Sequence, residues 1–66
     1  MRLTVNGRDW SAEAELSVEA LVESLTVARR GVAVAVNGTV VPRSAWATAP
    51  LTDGDAVEVL TAAQGG

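Results

Sequence analysis

Val32-Ala33-Val34-Ala35-Val36-Asn37-Gly38-Thr39-Val40-Val41-Pro42 is the stretch that decides the fold. Its first five residues are an unbroken run of β-branched and small apolar side chains. A run this short, closed by a turn signal, reads as a buried strand rather than a helix. Asn37-Gly38 supplies the turn, because both residues tolerate the positive φ that a type I′ hairpin demands. Thr39-Val40-Val41 returns. Pro42 lacks the N–H that a ladder needs, so it ends the strand or places it at a sheet edge.

Upstream, the same grammar appears again. Leu3 and Val5 alternate with Arg2 and Thr4, the period of a half-buried strand. Asn6-Gly7 is a second hairpin signal, and Arg8 to about Glu13, including Trp10, is the returning strand. Ser17 then reads as a helix N-cap, with Glu19 placed favourably for the helix dipole in the first turn. Val18, Leu21, Val22 and Leu25 fall at i, i+3, i+4 and i+7, which makes one helix face apolar. Arg29 and Arg30 lie near the expected helix end, and Gly31 offers the exit.

Downstream, Arg43 to Trp46 reads as a short turn of helix and Leu51 as a core plug carried by a loop. Asp53-Gly54-Asp55 is a tight turn. Ala56 to Thr61 is the last strand, with Val57 and Val59 on one face and Glu58 and Leu60 on the other.

The order is therefore β-β-α-β-β-β. One helix can cover one face of one sheet, giving a two-layer α+β domain. A last strand lying parallel to the first, between the two hairpins, makes this a ubiquitin-like β-grasp with a mixed sheet. The expected division is a β-grasp domain over residues 1–62 and a flexible tail over residues 63–66.

Composition narrows the chemistry. The chain has 66 residues, nearly half of them apolar. A domain of this size buries only about 60% of its unfolded surface, leaving little material to line a deep cleft. There is no cysteine and no histidine, so the thiolate nucleophile and the usual neutral-pH base are both missing. No catalytic side chain and no metal ligand set is expected. Asp53 and Asp55 are close in sequence, but on a glycine turn they read as turn formers. Net charge is −3, and all five basic residues are arginine. That argues against nucleic acid and anionic membrane as partners, since both call for a basic face. No signal peptide or spanning segment is evident, and the expected compartment is the cytoplasm. The absence of lysine reads more simply as coding bias than as protection of a reactive end.

After Thr61 come Ala62-Ala63-Gln64-Gly65-Gly66. At average composition two terminal glycines arise by chance in roughly 0.5% of chains, so the pair alone decides nothing. Following a β-grasp last strand, it reads as a reactive end. A chain-terminal carboxylate becomes an electrophile once adenylated, and to reach ATP inside another protein it must thread a narrow channel. Glycine has no Cβ to obstruct that passage and accepts backbone angles other residues resist. On this reading Gly66 is the adenylation and thiocarboxylate site, Gly65 and Gln64 form the tail, and the exposed Leu60 is a candidate docking residue.

Val34-Ala35-Val36-Asn37-Gly38, Val41-Pro42-Arg43-Ser44 with Trp46, Leu51-Thr52-Asp53-Gly54-Asp55 and Gln64-Gly65-Gly66 together resemble the ThiS family of sulfur carriers for thiamine biosynthesis. The resemblance spans the whole chain and is strongest from Val34 onward. The related molybdopterin carriers of the MoaD type share the diglycine and the Asp-Gly-Asp turn. They are usually longer and typically lack the Val-Pro-Arg-x-x-Trp stretch. The resemblance implies a carrier, not an enzyme, that is monomeric when free. It implies that a ThiF-like enzyme adenylates Gly66 with ATP, which the carrier itself does not bind. Sulfur originating from cysteine then displaces AMP, and the thiocarboxylate donates sulfur to a ThiG-like thiazole synthase. The alternatives are a molybdopterin-type or other sulfur carrier, a ubiquitin-like protein modifier, and a plain β-grasp binding module.

Overall fold

Both Asn-Gly pairs turn with the backbone their sequence requires: φ is 52° and 80° at Asn6 and Gly7, and 51° and 83° at Asn37 and Gly38. The computed structural model describes residues 1–12, 15–26 and 30–61. Their elements are β1 (Arg2–Val5), β2 (Arg8–Ser11), β3 (Leu16–Ser17), α1 (Val18–Leu25), β4 (Val32–Val36), β5 (Thr39–Val41), a 3-10 helix (Arg43–Thr48), β6 (Pro50–Leu51) and β7 (Ala56–Thr61).

The five longer strands form one sheet in the order β2-β1-β7-β4-β5. β7 runs parallel to β1 and antiparallel to β4, so the last strand lies between the two hairpins as expected. Its position follows from its side chains. Val57 and Val59 are buried beside Val34, Val5 and Leu3, and α1 closes that face with Val18, Leu21 and Val22. Each fully buried Val or Leu contributes about 1.5–3 kcal/mol, which in a domain this small makes every core position consequential.

Ser17 caps α1 as the sequence indicates, its Oγ accepting the Ala20 N–H at 3.1 Å. The helix is shorter than the arginine placement suggested. It ends at Leu25, where extended Thr26 donates its N–H to the Val22 carbonyl at 3.0 Å. The β-branched Thr26 and Val27 that follow are poor helix residues. No basic residue lies in the last turn. Arg29 lies outside the described residues, and Arg30 is exposed beyond the helix. Glu13, the expected end of β2, also lies outside them. Pairing with β1 does continue past Ser11, through two bonds of 2.9 Å between Met1 and Ala12.

The helical turn after Pro42 is present and runs on to Thr48. It buries Trp46, whose indole N–H donates to the Val41 carbonyl at 2.9 Å, while Arg43 lies 5.1 Å from the centre of the ring. Leu51 plugs the core as expected. It does so from a two-residue strand, β6, which pairs antiparallel with β3 and sets Leu51 opposite Leu16. This small second sheet ties the helix start to the segment before the last turn, helped by the Val18 N–H donating to Ala49 at 2.9 Å.

Candidate functional site: the tail-bearing strand

β7 leads into residues 62–66, so its placement sets where that segment leaves the domain. Gln64, Gly65 and Gly66, and the expected boundary after residue 62, lie outside the described residues. Leu60 lies within them. In an antiparallel pair, opposed residues share a face. Leu60 stands opposite Ala33, and Glu58 stands opposite Ala35, which is itself opposite Val40. Leu60 is 66% exposed and Val40 70%, whereas their neighbours Val59 and Val41 turn inward. The face away from α1 thus carries an apolar strip of Leu60, Ala33, Ala35 and Val40, broken by Glu58. The alternation expected for Leu60 and Val59 holds.

The two hairpin turns also grip β7, which the sequence reading did not foresee. It assigned the asparagines to turn formation alone. The Asn37 N–H donates to the Ala56 carbonyl at 2.7 Å, and its Oδ1 accepts the Ala56 N–H at 3.0 Å. The Asn6 N–H donates to the Val57 carbonyl at 2.8 Å, and its carboxamide bonds both backbone groups of Val59. No sequence signal distinguishes such an asparagine from one that only turns the chain.

Asp53 and Asp55 serve the turn before β7. Asp53 accepts the Arg2 N–H at 2.7 Å. The Asp55 carboxylate accepts the Thr52 N–H at 2.8 Å, the Thr52 hydroxyl at 3.1 Å and the Asn37 amide at 3.0 Å. Among the described residues no group of three Asp, Glu, His or Cys could hold a metal ion. The Asp55 pKa is lowered from the ordinary 3.8, chiefly by the Thr52 N–H; partial burial opposes this, and the Asn37 and Thr52 side chains add to it. Folding therefore favours the ionised form. Its contribution is complete above the unfolded value and is lost as pH falls through the folded one. Asp55→Ala is expected to melt below the wild type at neutral pH, and the gap should narrow once pH drops under the carboxylate range. Thermal melts across that range check this, and a gap that stays constant would exclude Asp55 as its source.

Beside the end of β7 lies an open hollow of about 640 Å³, lined by Val5, Arg8, Trp10, Leu25, Val59 and Thr61 among others. It holds no facing acid–base pair. Among the described residues no helix is long and apolar enough to cross a membrane. The chemistry-bearing feature of this strand is thus its position: central, doubly gripped, and continuous with a diglycine segment.

The family model described as the ThiS family matches residues 2–66. The chain belongs to the ThiS family. The sulfur carrier protein ThiS of Escherichia coli is 32% identical over 66 residues, covering all of both chains. A thiazole synthase of Paramagnetospirillum magneticum is 39% identical over all of this chain, which spans only 20% of that relative's length. A crystal structure of the thiamine biosynthesis protein ThiS from Geobacter metallireducens matches with a TM-score of 0.81 at 40% identity, over all of both chains. A solution structure of a thiamine biosynthesis protein from the same organism gives 0.83, over 88% of that chain. The β-grasp architecture is thus shared with ThiS structures over the full length of this chain.

Proposed function

We propose that this protein is a sulfur carrier for thiazole formation in thiamine biosynthesis, working through Gly66. The observation that carries the reading is the match of residues 2–66 to the ThiS family, which takes in Gln64-Gly65-Gly66. A carboxylate oxygen of Gly66 attacks the α-phosphorus of ATP on a ThiF-like activating enzyme, and pyrophosphate leaves. A sulfur nucleophile originating from cysteine then attacks the acyl carbon, and AMP leaves. The resulting thiocarboxylate hands its sulfur to a ThiG-like thiazole synthase. The similarity of this chain to a segment of a thiazole synthase supports that acceptor.

In this reading the chain is a co-substrate and not an enzyme. Residues 63–66 are its tail, Leu60 helps to dock it, it is monomeric when free, and it works in the cytoplasm. The carrier has no cysteine, so its own side chains offer no thiolate to attack the adenylate.

Intact mass spectrometry after incubation with a ThiF-like enzyme, ATP and a sulfide source is expected to show the gain of one oxygen-to-sulfur exchange. Reconstitution with thiazole synthase and with the large molybdopterin synthase subunit then separates the two sulfur pathways. Transfer only to the molybdopterin precursor would reassign the acceptor. Conjugation to a target lysine without any thiocarboxylate would point to a protein modifier instead.

A further inference from the structure

We propose that Asn6 is a positioning residue for the carrier reaction, holding β7 at Val59 and so fixing the root from which residues 62–66 leave the domain. This rests on the carrier reading above. β1 ends at Val5, and its last register partner on β7 is Val57. At Asn6 the chain turns away with φ at 52°. The backbone of β1 can no longer serve Val59, which lies further toward the tail. The Asn6 side chain takes over that work. Its Oδ1 accepts the Val59 N–H at 2.8 Å, and its Nδ2 donates to the Val59 carbonyl at 3.1 Å. Beyond Val59, the described strand has register partners only on β4, with Leu60 opposite Ala33 and Thr61 opposite Val32. Asn6 is thus the last hold on the β1 side before the tail.

The residue type is restricted twice. A φ of 52° favours glycine, asparagine and aspartate. Of these, asparagine alone offers both a donor and an acceptor; ionised aspartate accepts only, and glycine offers no side chain. The turn by itself would be satisfied by any of the three, so the two bonds to Val59 are the specific reason for asparagine.

The root matters because the tail is short. Five extended residues reach at most about 17 Å. If β7 frays from Val59, the tether lengthens and loses its direction, and docked carriers place Gly66 productively less often. That lowers kcat while leaving the docking face, and hence KM for the carrier, intact. A loss of folded protein would instead raise the apparent KM.

Asn37 provides the control. It has the same turn geometry, with φ at 51°, and grips β7 at its other end through Ala56. The test compares wild type, Asn6→Gly, Asn6→Asp and Asn37→Gly in carrier-dependent ATP–pyrophosphate exchange by a ThiF-like enzyme. Amide hydrogen exchange at Val59 is measured on the same proteins. Asn6→Gly should speed Val59 exchange and lower kcat at least about threefold, with KM changed less than about twofold. Asn6→Asp, which keeps the acceptor, should fall between glycine and wild type. Asn37→Gly should lower Tm and keep kcat. Faster Val59 exchange with unchanged kcat would overturn the proposal and leave the carrier reading standing, as would an equal kcat loss in Asn37→Gly. A wild-type protein that supports no exchange at all would overturn the carrier reading and this proposal with it.

Discussion

A protein carrying one additional alanine after Gly66 is expected to take up no sulfur under conditions that load the wild type fully. The extension turns the reactive carboxylate into an amide, which has no anionic oxygen to attack ATP and no free acyl end to activate. The loss should be complete rather than graded, because it removes the reacting group itself. Folding should not change: the buried core runs from Leu3 to Val59 and is complete before residue 62. The extended protein should therefore melt with the wild type. Gly66→Trp is the companion variant. It keeps a terminal carboxylate but adds a side chain that a narrow channel must refuse, so activation should fall steeply while the melt stays the same. Intact mass before and after the loading reaction reads both outcomes. An extended protein shown by mass to be unprocessed, and yet thiocarboxylated, would show that Gly66 is not the working residue.

The fold was largely legible because its strongest signals are local and periodic. Two Asn-Gly pairs fix two hairpins, and the Val32–Val36 run places a buried strand between one of them and the helix. Period-two alternation along Ala56–Thr61 sends Val57 and Val59 inward and Leu60 outward, as observed. Three features were not legible, for different reasons. The β3–β6 pair is two residues long on each side, too short for any period to show; only the need to seat Leu51 hinted at it. The helix end at Leu25 turns on Thr26 adopting an extended conformation, a local choice that the distant arginines and Gly31 obscured. The grips of Asn6 on Val59 and of Asn37 on Ala56 join residues far apart in the chain. Sequence spacing cannot report such contacts, and the turn role already accounts for both asparagines.

The candidate site divides in the same way. The sequence placed Leu60 on the open face, because strand alternation is decided within a few residues. It could not show that Leu60 shares that face with Ala33, Ala35 and Val40, since this depends on the pairing of three separate strands. Nor could it show that the strand carrying the tail is the central one, held on both sides. A central strand is a sound platform for a reactive end: its direction is fixed by neighbours that do not take part in the chemistry.

Adjacent substitutions on that strand should separate folding from docking. Val59→Asp places a carboxylate at a position 8% exposed, within the apolar cluster beside Val34. Burying an unpaired charge costs several kcal/mol, and a domain of this size has a total stability of roughly 3–10 kcal/mol. Val59→Asp should therefore be largely unfolded at ambient temperature. Leu60→Asp makes the same chemical change one residue later, at a position 66% exposed. Its effect on stability should be small, about 0.5 kcal/mol, as for most surface substitutions. If Leu60 anchors the activating enzyme, the same change should weaken that complex by about 1–3 kcal/mol, or roughly five- to 150-fold. The two effects are opposite in kind because strand side chains alternate between faces, so a shift of one residue exchanges core for surface. Circular dichroism melts report the first effect, and titration calorimetry with the activating enzyme reports the second. A Leu60→Asp protein that also unfolds would contradict the register of β7 against β4. One that folds and binds like the wild type would remove Leu60 from the docking surface, leaving the Ala33–Ala35–Val40 side of the strip as the next part to test.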